Sequence, residues 1–188
     1  MSTIKGFFFD LDGTLVNTYE ADFLAYRDAI AEVTGVLIDA ESFARTHGQE
    51  AKQKLDYLTP GVSDDQVASV RAAKKRHYPK YIHLTHGNST LVAFLKEMSQ
   101  THVTAIVTTA KQQNAELVLE AHGLKDVFDV AVYGDQVSHP KPHPEGYLAA
   151  LRSSGLHANE VIVFEDSQTG LDAAHAAGLA TIQIRSFV

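Results

Sequence analysis

The chain has 188 residues, 45% of them apolar and 21% charged, enough for one solid core or for a core with a small appendage. Sixteen basic residues against twenty-three acidic leave a net charge of −7, the wrong sign for a surface that binds nucleic acid through its field. The absence of cysteine removes disulfides, thiolate nucleophiles, iron–sulfur clusters and zinc–thiolate sites together, so any covalent catalysis must use oxygen or nitrogen.

No stretch approaches the roughly 20 apolar residues of a membrane span. The opening apolar run meets an acid at Asp10 with no basic segment before it and no small-residue cleavage site after it. A cytoplasmic, soluble protein without membrane contact is expected.

The first run, Ile4 to Phe9, is continuous rather than alternating, as in a strand buried on both faces of a parallel sheet. The span 17–86 departs from that pattern, with helical periodicity (Phe23, Tyr26, Ile30, Val33; Val67, Val70, His77, Tyr81) and a turn at Thr59-Pro60-Gly61. Beyond it, apolar runs at Val103–Thr108, Val127–Tyr133, Val161–Phe164 and Ala180–Ile184 alternate with helical patterns. Those patterns are Leu91/Phe94/Leu95/Met98, Leu117/Val118/Ala121, Tyr147/Leu148/Leu151 and Leu171/Ala174/Ala177. Gly123, Gly155 and Gly178 stand just past three of them as stop signals. The expected fold is α/β, a doubly wound, Rossmann-like parallel sheet over 1–16 and 87–188, with a small helical cap of 17–86 inserted after strand 1.

Chemistry-bearing residues follow four of these runs. In open α/β sheets the crevice beyond the strand ends is where ligands bind. Asp10 and Asp12 emerge there together with Gly13, and two such carboxylates repel each other unless a cation or proton is shared, although Asp-Gly is also a common turn pair. Thr108-Thr109 places hydroxyls after the second run. Lys141 lies between Pro140 and Pro142, which restrict the backbone on both sides and aim it, a stiff surface loop being the plain alternative. Glu165-Asp166 opens a helix, where acids also serve as ordinary capping residues. Together they form the inventory for magnesium-assisted phosphoryl transfer. Mg²⁺ takes carboxylate oxygens from Asp10 and Asp166, while Lys141 and Thr108 hold the non-bridging oxygens. A chain of net charge −7 binds a phosphate dianion only where metal and lysine invert the local field.

Asp10-Leu11-Asp12-Gly13-Thr14, Thr108, Lys141 and Glu165-Asp166 resemble the four motifs of the haloacid dehalogenase-like hydrolases. Phe164-Glu165-Asp166-Ser167-Gln168-Thr169-Gly170-Leu171 is similar to the subgroup of β-phosphoglucomutase and the sugar-phosphate phosphatases. The resemblance implies that Asp10 is the nucleophile and forms an aspartyl-phosphate, and that Asp12 is the general acid/base. It also implies that Thr108, the Thr109 amide and Lys141 hold the phosphate, and that Asp10, the Asp12 carbonyl and Asp166 bind Mg²⁺ with Glu165 in or near the shell. The helical insert corresponds to the subgroup's cap, which closes over the site, and His47-Gly48 with Lys52 falls where its substrate-reading loop would lie.

Two departures bear on the activity. Asp22 stands where the mutases of this subgroup carry a cap histidine, and Ala51 where they carry a cap arginine; Thr14 is the residue usual in the phosphatases, and Asn17 replaces a frequent Asp. The implied function is a Mg²⁺-dependent phosphatase of a small phosphate ester, a sugar or polyol phosphate. A β-phosphoglucomutase-like isomerase and a non-catalytic phospho-acceptor switch are the alternatives. A monomer or weak homodimer is expected.

Other clusters read as structural. Arg71, Lys74, Lys75, Arg76 and Lys80 form a solvated helix face opposite the Val67/Val70/His77/Tyr81 stripe. The pairs His83/His86 and His139/His143 are set aside as metal ligands, because no cysteine accompanies either and prolines constrain the second.

Overall fold

The computed structural model of the chain describes residues 3–46, 49 and 51–185. It divides into two compact units, one within Met1–Asn17 and His86–Val188, the other Thr18–Thr85.

The first unit holds strands β1 (Gly6–Phe9), β2 (Val16–Asn17), β3 (His86–Gly87), β4 (Val103–Val107), β5 (Val130–Val132), β6 (Val161–Glu165) and β7 (Ala180–Gln183). Its helices are Ser89–Met98, Gln112–Ala121, Glu145–Ser154 and Gln168–Ala176. Five strands form a wholly parallel sheet in the order β5-β4-β1-β6-β7. From β1 the chain runs outward to β4 and β5, then returns to β6 and β7 on the other side. The carboxyl end of β1 therefore sits where the strand order reverses, the position at which open α/β sheets form a ligand crevice.

The continuous apolar runs are explained by burial on both faces. Phe8 and Phe9 are wholly buried, and the Phe9 ring stacks on Phe164 of β6 with centroids 4.9 Å apart. Phe8, Val107, Val132, Tyr147, Ala150 and Val163 belong to one core cluster. The expected strand over Val127–Tyr133 is shorter than its apolar run. The Thr104 hydroxyl donates to the Val127 carbonyl and the Asp129 carboxylate accepts from the Thr104 amide, so ahead of Val130 side-chain bonds accompany a single backbone bond, from the Asp129 amide to the Thr104 carbonyl at 2.9 Å. The short β2 and β3 pair antiparallel, with Asn17 opposite His86.

The second unit comprises α1 (Tyr19–Thr34), α2 (Ala40–Ala44), α3 (Ala51–Leu58), α4 (Asp64–His77) and a 3₁₀ segment, Tyr78–Leu84; no strand occurs among its described residues. Its termini follow local chemistry: Asp39 accepts from the Ser42 amide ahead of α2, and Ser63 with Gln66 forms a capping box on α4. The Thr-Pro-Gly turn lies between α3 and α4, as its composition implies. Tyr26, Ile30, Phe43, Leu55, Val67 and Val70 belong to a core separate from that of the sheet. Tyr81 and His77 complete the expected stripe through polar contacts, the Tyr81 hydroxyl donating to Asp28 and the His77 ring bonding Glu32 at 2.8 Å.

Candidate active site

The residues after β1, β4 and β6 and in the loop after β5 meet at one edge of the sheet. The Asp10 amide donates to the Phe164 carbonyl at 3.0 Å, extending the β1–β6 ladder by one residue and fixing where the Asp10 side chain emerges. Beyond it the backbone turns through Gly13 at φ 94°, a left-handed conformation that favours glycine. A Cβ there would also lie 2.3 Å from an Asp166 carboxylate oxygen, so the missing side chain lets that acid approach. The wholly buried Thr14 donates its hydroxyl to Asp166 Oδ1 at 2.9 Å.

Lys141 is the hub. Its ammonium donates to Asp10 Oδ1 at 2.7 Å, to the Val107 carbonyl at 2.9 Å and to Glu165 Oε1, and it lies over the Tyr147 ring at 5.1 Å from the centroid. The Lys141 side chain is only 7% exposed and that of Glu165 not at all. Burial pulls the Lys141 ammonium toward neutrality, but the Asp10, Tyr147 and Glu165 groups outweigh it and hold the pKa well above its ordinary value. The lysine stays charged.

Glu165 is fully engaged by the protein. Oε1 accepts from Lys141 and from the Tyr147 hydroxyl at 3.1 Å; Oε2 accepts from the Ser167 amide at 3.2 Å and the Ser167 hydroxyl at 3.1 Å. Gly170 makes room for it: a Cβ there would stand 1.8 Å from Oε1.

Across the site, Thr108 donates its hydroxyl to Asp12 Oδ2 at 3.3 Å and accepts from the Ala110 amide at 3.0 Å. Thr109 is exposed, and its backbone packs against Gly134, where a Cβ would meet the Thr109 carbonyl oxygen at 2.1 Å. Asp10, Glu165 and Asp166 each bring a carboxylate oxygen to within 4.8 Å of the others. Burial, followed by the Glu165 charge, pushes the Asp10 carboxyl well above its usual range; Lys141 pulls it back, and Asp166 and Asp12 raise it further. With Asp10 and Glu165 on one lysine and Asp166 close to both, the donor set is oxygen-rich and anionic, and it fits a hard divalent cation such as Mg²⁺.

Of the residues singled out in the second unit, Lys52 and Asp22 are described. His47 and Gly48 lie outside the described residues. Lys52 projects from α3 and bonds Asp64 Oδ1 at 2.8 Å on an exposed surface, with Asp56 at 3.8 Å. Asp22 holds Lys74 at 2.5 Å and Lys54 at 3.7 Å. The Lys54 and Lys74 side chains are 12% and 16% exposed and lie over the Tyr26 ring at 4.9 and 5.3 Å, Lys54 also over Phe43 and Lys74 over Tyr78. Lys74 is thus not part of the solvated face expected from its neighbours, because α1 supplies it with a carboxylate and a ring. Sequence reasoning also misses Tyr147, which occupies an apolar-stripe position; only its polar tip distinguishes it from Leu148 and Leu151. Gly170 carries a signal, a glycine within a helix that propensity disfavours.

Residues 7–184 match the family model described as haloacid dehalogenase-like hydrolase. A phosphorylated carbohydrates phosphatase of Thermotoga maritima is 32% identical over 179 residues, covering 93% of this chain and 82% of that protein. The fructose-1-phosphate phosphatase YqaB of Escherichia coli is 26% identical over 181 residues, 96% of each chain. Among solved structures, CbbY from Rhodobacter sphaeroides in complex with phosphate superposes with a TM-score of 0.88 at 25% identity, covering 98% of this chain and 88% of that one.

Proposed function

Because the chain belongs to the haloacid dehalogenase-like hydrolases and is a phosphatase of that family, we propose that it hydrolyses a small sugar or polyol phosphate through an aspartyl-phosphate on Asp10. The observation that carries the reading is the Lys141 ammonium, buried and shared between Asp10 and Glu165 at the strand ends, with the Asp12–Thr108 pair beside it.

In this mechanism an Asp10 oxygen attacks phosphorus as the bond to the leaving oxygen breaks, and Asp12 delivers a proton to that oxygen. Asp12 then takes a proton from a water molecule, whose oxygen attacks the phosphoryl group; phosphate leaves and the Asp10 carboxylate is restored. Lys141, the Thr108 hydroxyl and the Thr109 amide hold the non-bridging oxygens as charge redistributes. Asp10, Asp166 and the Asp12 main-chain carbonyl would hold Mg²⁺, with Glu165 in or near the shell. The bound ion supplies charge neutralisation on the phosphoryl oxygens. Four hydrogen bonds from the protein give Glu165 a second task, that of fixing the Lys141 ammonium.

We read the Thr18–Thr85 unit as the cap domain that selects the leaving group. The mutase alternative requires a cap histidine and arginine. The chain has Asp22 and Ala51 instead, and Asp22 is committed to two lysines.

The test is phosphate release across a panel of sugar, polyol and short acid phosphates with and without Mg²⁺, for the native protein and Asp10→Asn. Expected is metal-dependent release that falls on the order of 10⁴-fold or more in the variant, as when a nucleophile is removed. Turnover retained by Asp10→Asn would overturn the reading. Stable labelling of Asp10 without turnover of any ester would instead identify a phospho-acceptor switch.

A further inference from the structure

The loop that carries Lys141 brings two histidines and a carboxylate together on its exposed side. His139 Nδ1 lies 2.8 Å from Glu145 Oε2, His143 Nδ1 lies 4.0 Å from the same oxygen, and the two imidazole centroids are 4.7 Å apart. All three residues offer ligand atoms within 4.8 Å of one another, and they share no residue with the Asp10/Glu165/Asp166 cluster. The sequence sets the histidine pair aside because no cysteine accompanies it and prolines constrain its loop. Glu145, two residues beyond His143, supplies a third ligand.

We propose that His139, His143 and Glu145 form a second metal site, for a borderline transition-metal dication of the Zn²⁺, Co²⁺ or Ni²⁺ type. The donor set decides the class: two imidazoles with one carboxylate suit zinc and its neighbours, whereas Mg²⁺ and Ca²⁺ take oxygen ligands. An ion with bonds of about 2.0–2.2 Å to nitrogen and oxygen needs ligand atoms roughly 3.3 Å apart, a rearrangement of about an ångström for these side chains. A neutral His139 binds through Nδ1 by carrying its one ring proton on Nε2, so the His139–Glu145 hydrogen bond is exchanged for two bonds to the ion.

Two features prepare the site. Pro140, Pro142 and Pro144 alternate with Lys141 and His143, fixing φ at three positions between the ligands and reducing the entropy lost on binding. The Glu145 carboxylate is oriented before any ion arrives. Oε1 accepts from the Ser138 amide at 2.8 Å and Oε2 from the His139 amide at 3.0 Å; the 3.3 Å bond from the Glu145 amide to His143 Nδ1 occupies that nitrogen's lone pair and is exchanged for the ion. The Ser138 bond, followed by the His139 side chain, holds its carboxyl below the ordinary range, so an anionic ligand is presented at neutral pH. Accessibility is ample, the His139 and His143 side chains being 67% and 51% exposed.

The experiment is titration of the full chain with Zn²⁺ and, for its visible absorption, Co²⁺, in saturating Mg²⁺ so that the acidic cluster is occupied. Native protein, His143→Ala and His139→Ala are compared, with circular dichroism to establish that each is folded. Expected is one equivalent of Zn²⁺ bound by the native chain and affinity lowered at least about tenfold in both variants, since even outer-sphere partners of a metal are worth 10–100-fold. The Co²⁺ spectrum should lose its nitrogen-ligand signature in both. Absence of Zn²⁺ binding by the native chain, or affinity unweakened in either variant, would overturn the proposal.

Discussion

The two units of this protein bury charge in opposite ratios. At the sheet edge a single ammonium, Lys141, sits among carboxylates; in the helical unit a single carboxylate, Asp22, sits between two ammoniums, Lys54 and Lys74. The means of tolerating the imbalance differ accordingly. Aromatic faces can moderate a crowd of cations, and Tyr26, Phe43 and Tyr78 lie beneath the lysines, where a ring face attracts positive charge. Those faces repel anions, so a crowd of carboxylates needs donors or a cation. Thr14, Thr108, Tyr147 and Ser167 supply neutral donors to Asp166, Asp12 and Glu165, and Asp10 relies on Lys141. The acidic cluster is accordingly the one that fits an external metal, and the basic cluster is closed on itself by carboxylate and rings.

The largest effect on this contrast is expected from Gly170→Ala. The added methyl would overlap the Glu165 carboxylate. The end of a glutamate is ordinarily cheap to move, but this one is wholly buried and bonded to Lys141, Tyr147 and Ser167. Displacing it should destabilise the chain by about 3 kcal/mol, at the upper end for overpacking a core. Phosphate release should fall in parallel, because Lys141 loses one of its two carboxylates. Urea unfolding with a phosphate-release assay checks both. A stable variant with native turnover would show that Glu165 does not anchor the lysine.

Tyr147→Phe is the finer probe of the same cluster. It removes one neutral donor to a buried carboxylate and leaves the ring under Lys141, so stability should fall by about 1.5–2 kcal/mol, the lower part of the range for hydrogen bonds to charged groups. The expected signature in urea is a lower midpoint at an unchanged slope.

These probes concern residues of unequal legibility. The sheet is readable because strands buried on both faces leave unbroken apolar runs, and the acids at 10, 12, 165 and 166 follow those runs directly. Lys141 is readable from the prolines that flank it. Tyr147 is not, since a phenol at an apolar-stripe position looks like core until its hydroxyl is seen to reach Glu165. Lys74 deceives for a related reason. Periodicity within one helix assigns it a face, but its environment is set by Asp22 and Tyr26 on α1, and such inter-helix partners leave no trace in spacing. Lys52, singled out with His47 and Gly48, has a surface partner, Asp64, that sequence distance also conceals.

The smallest stability effects belong to the helical unit, where Asp22→Asn and Lys52→Ala separate a half-buried charge cluster from an exposed pair. Burial pushes the Asp22 carboxyl up, but Lys74 and Lys54 overcompensate and leave it below its usual value of 3.8. A depressed carboxyl stabilises the fold at pH values above its unfolded pKa and loses that contribution as the pH falls through the folded one. Asp22→Asn should therefore lower stability by about 1 kcal/mol at pH 7, a value between those of exposed and buried ion pairs. The deficit should shrink on acidification below the ordinary carboxylate range. Lys52 stands on the surface with its charge screened by water and salt, so Lys52→Ala should leave the unfolding midpoint unchanged at either pH. Urea titrations of both variants at pH 7 and in acid decide the matter. A pH-independent deficit in Asp22→Asn would mean that packing on Tyr26, rather than the charge of Asp22, holds the two lysines in place.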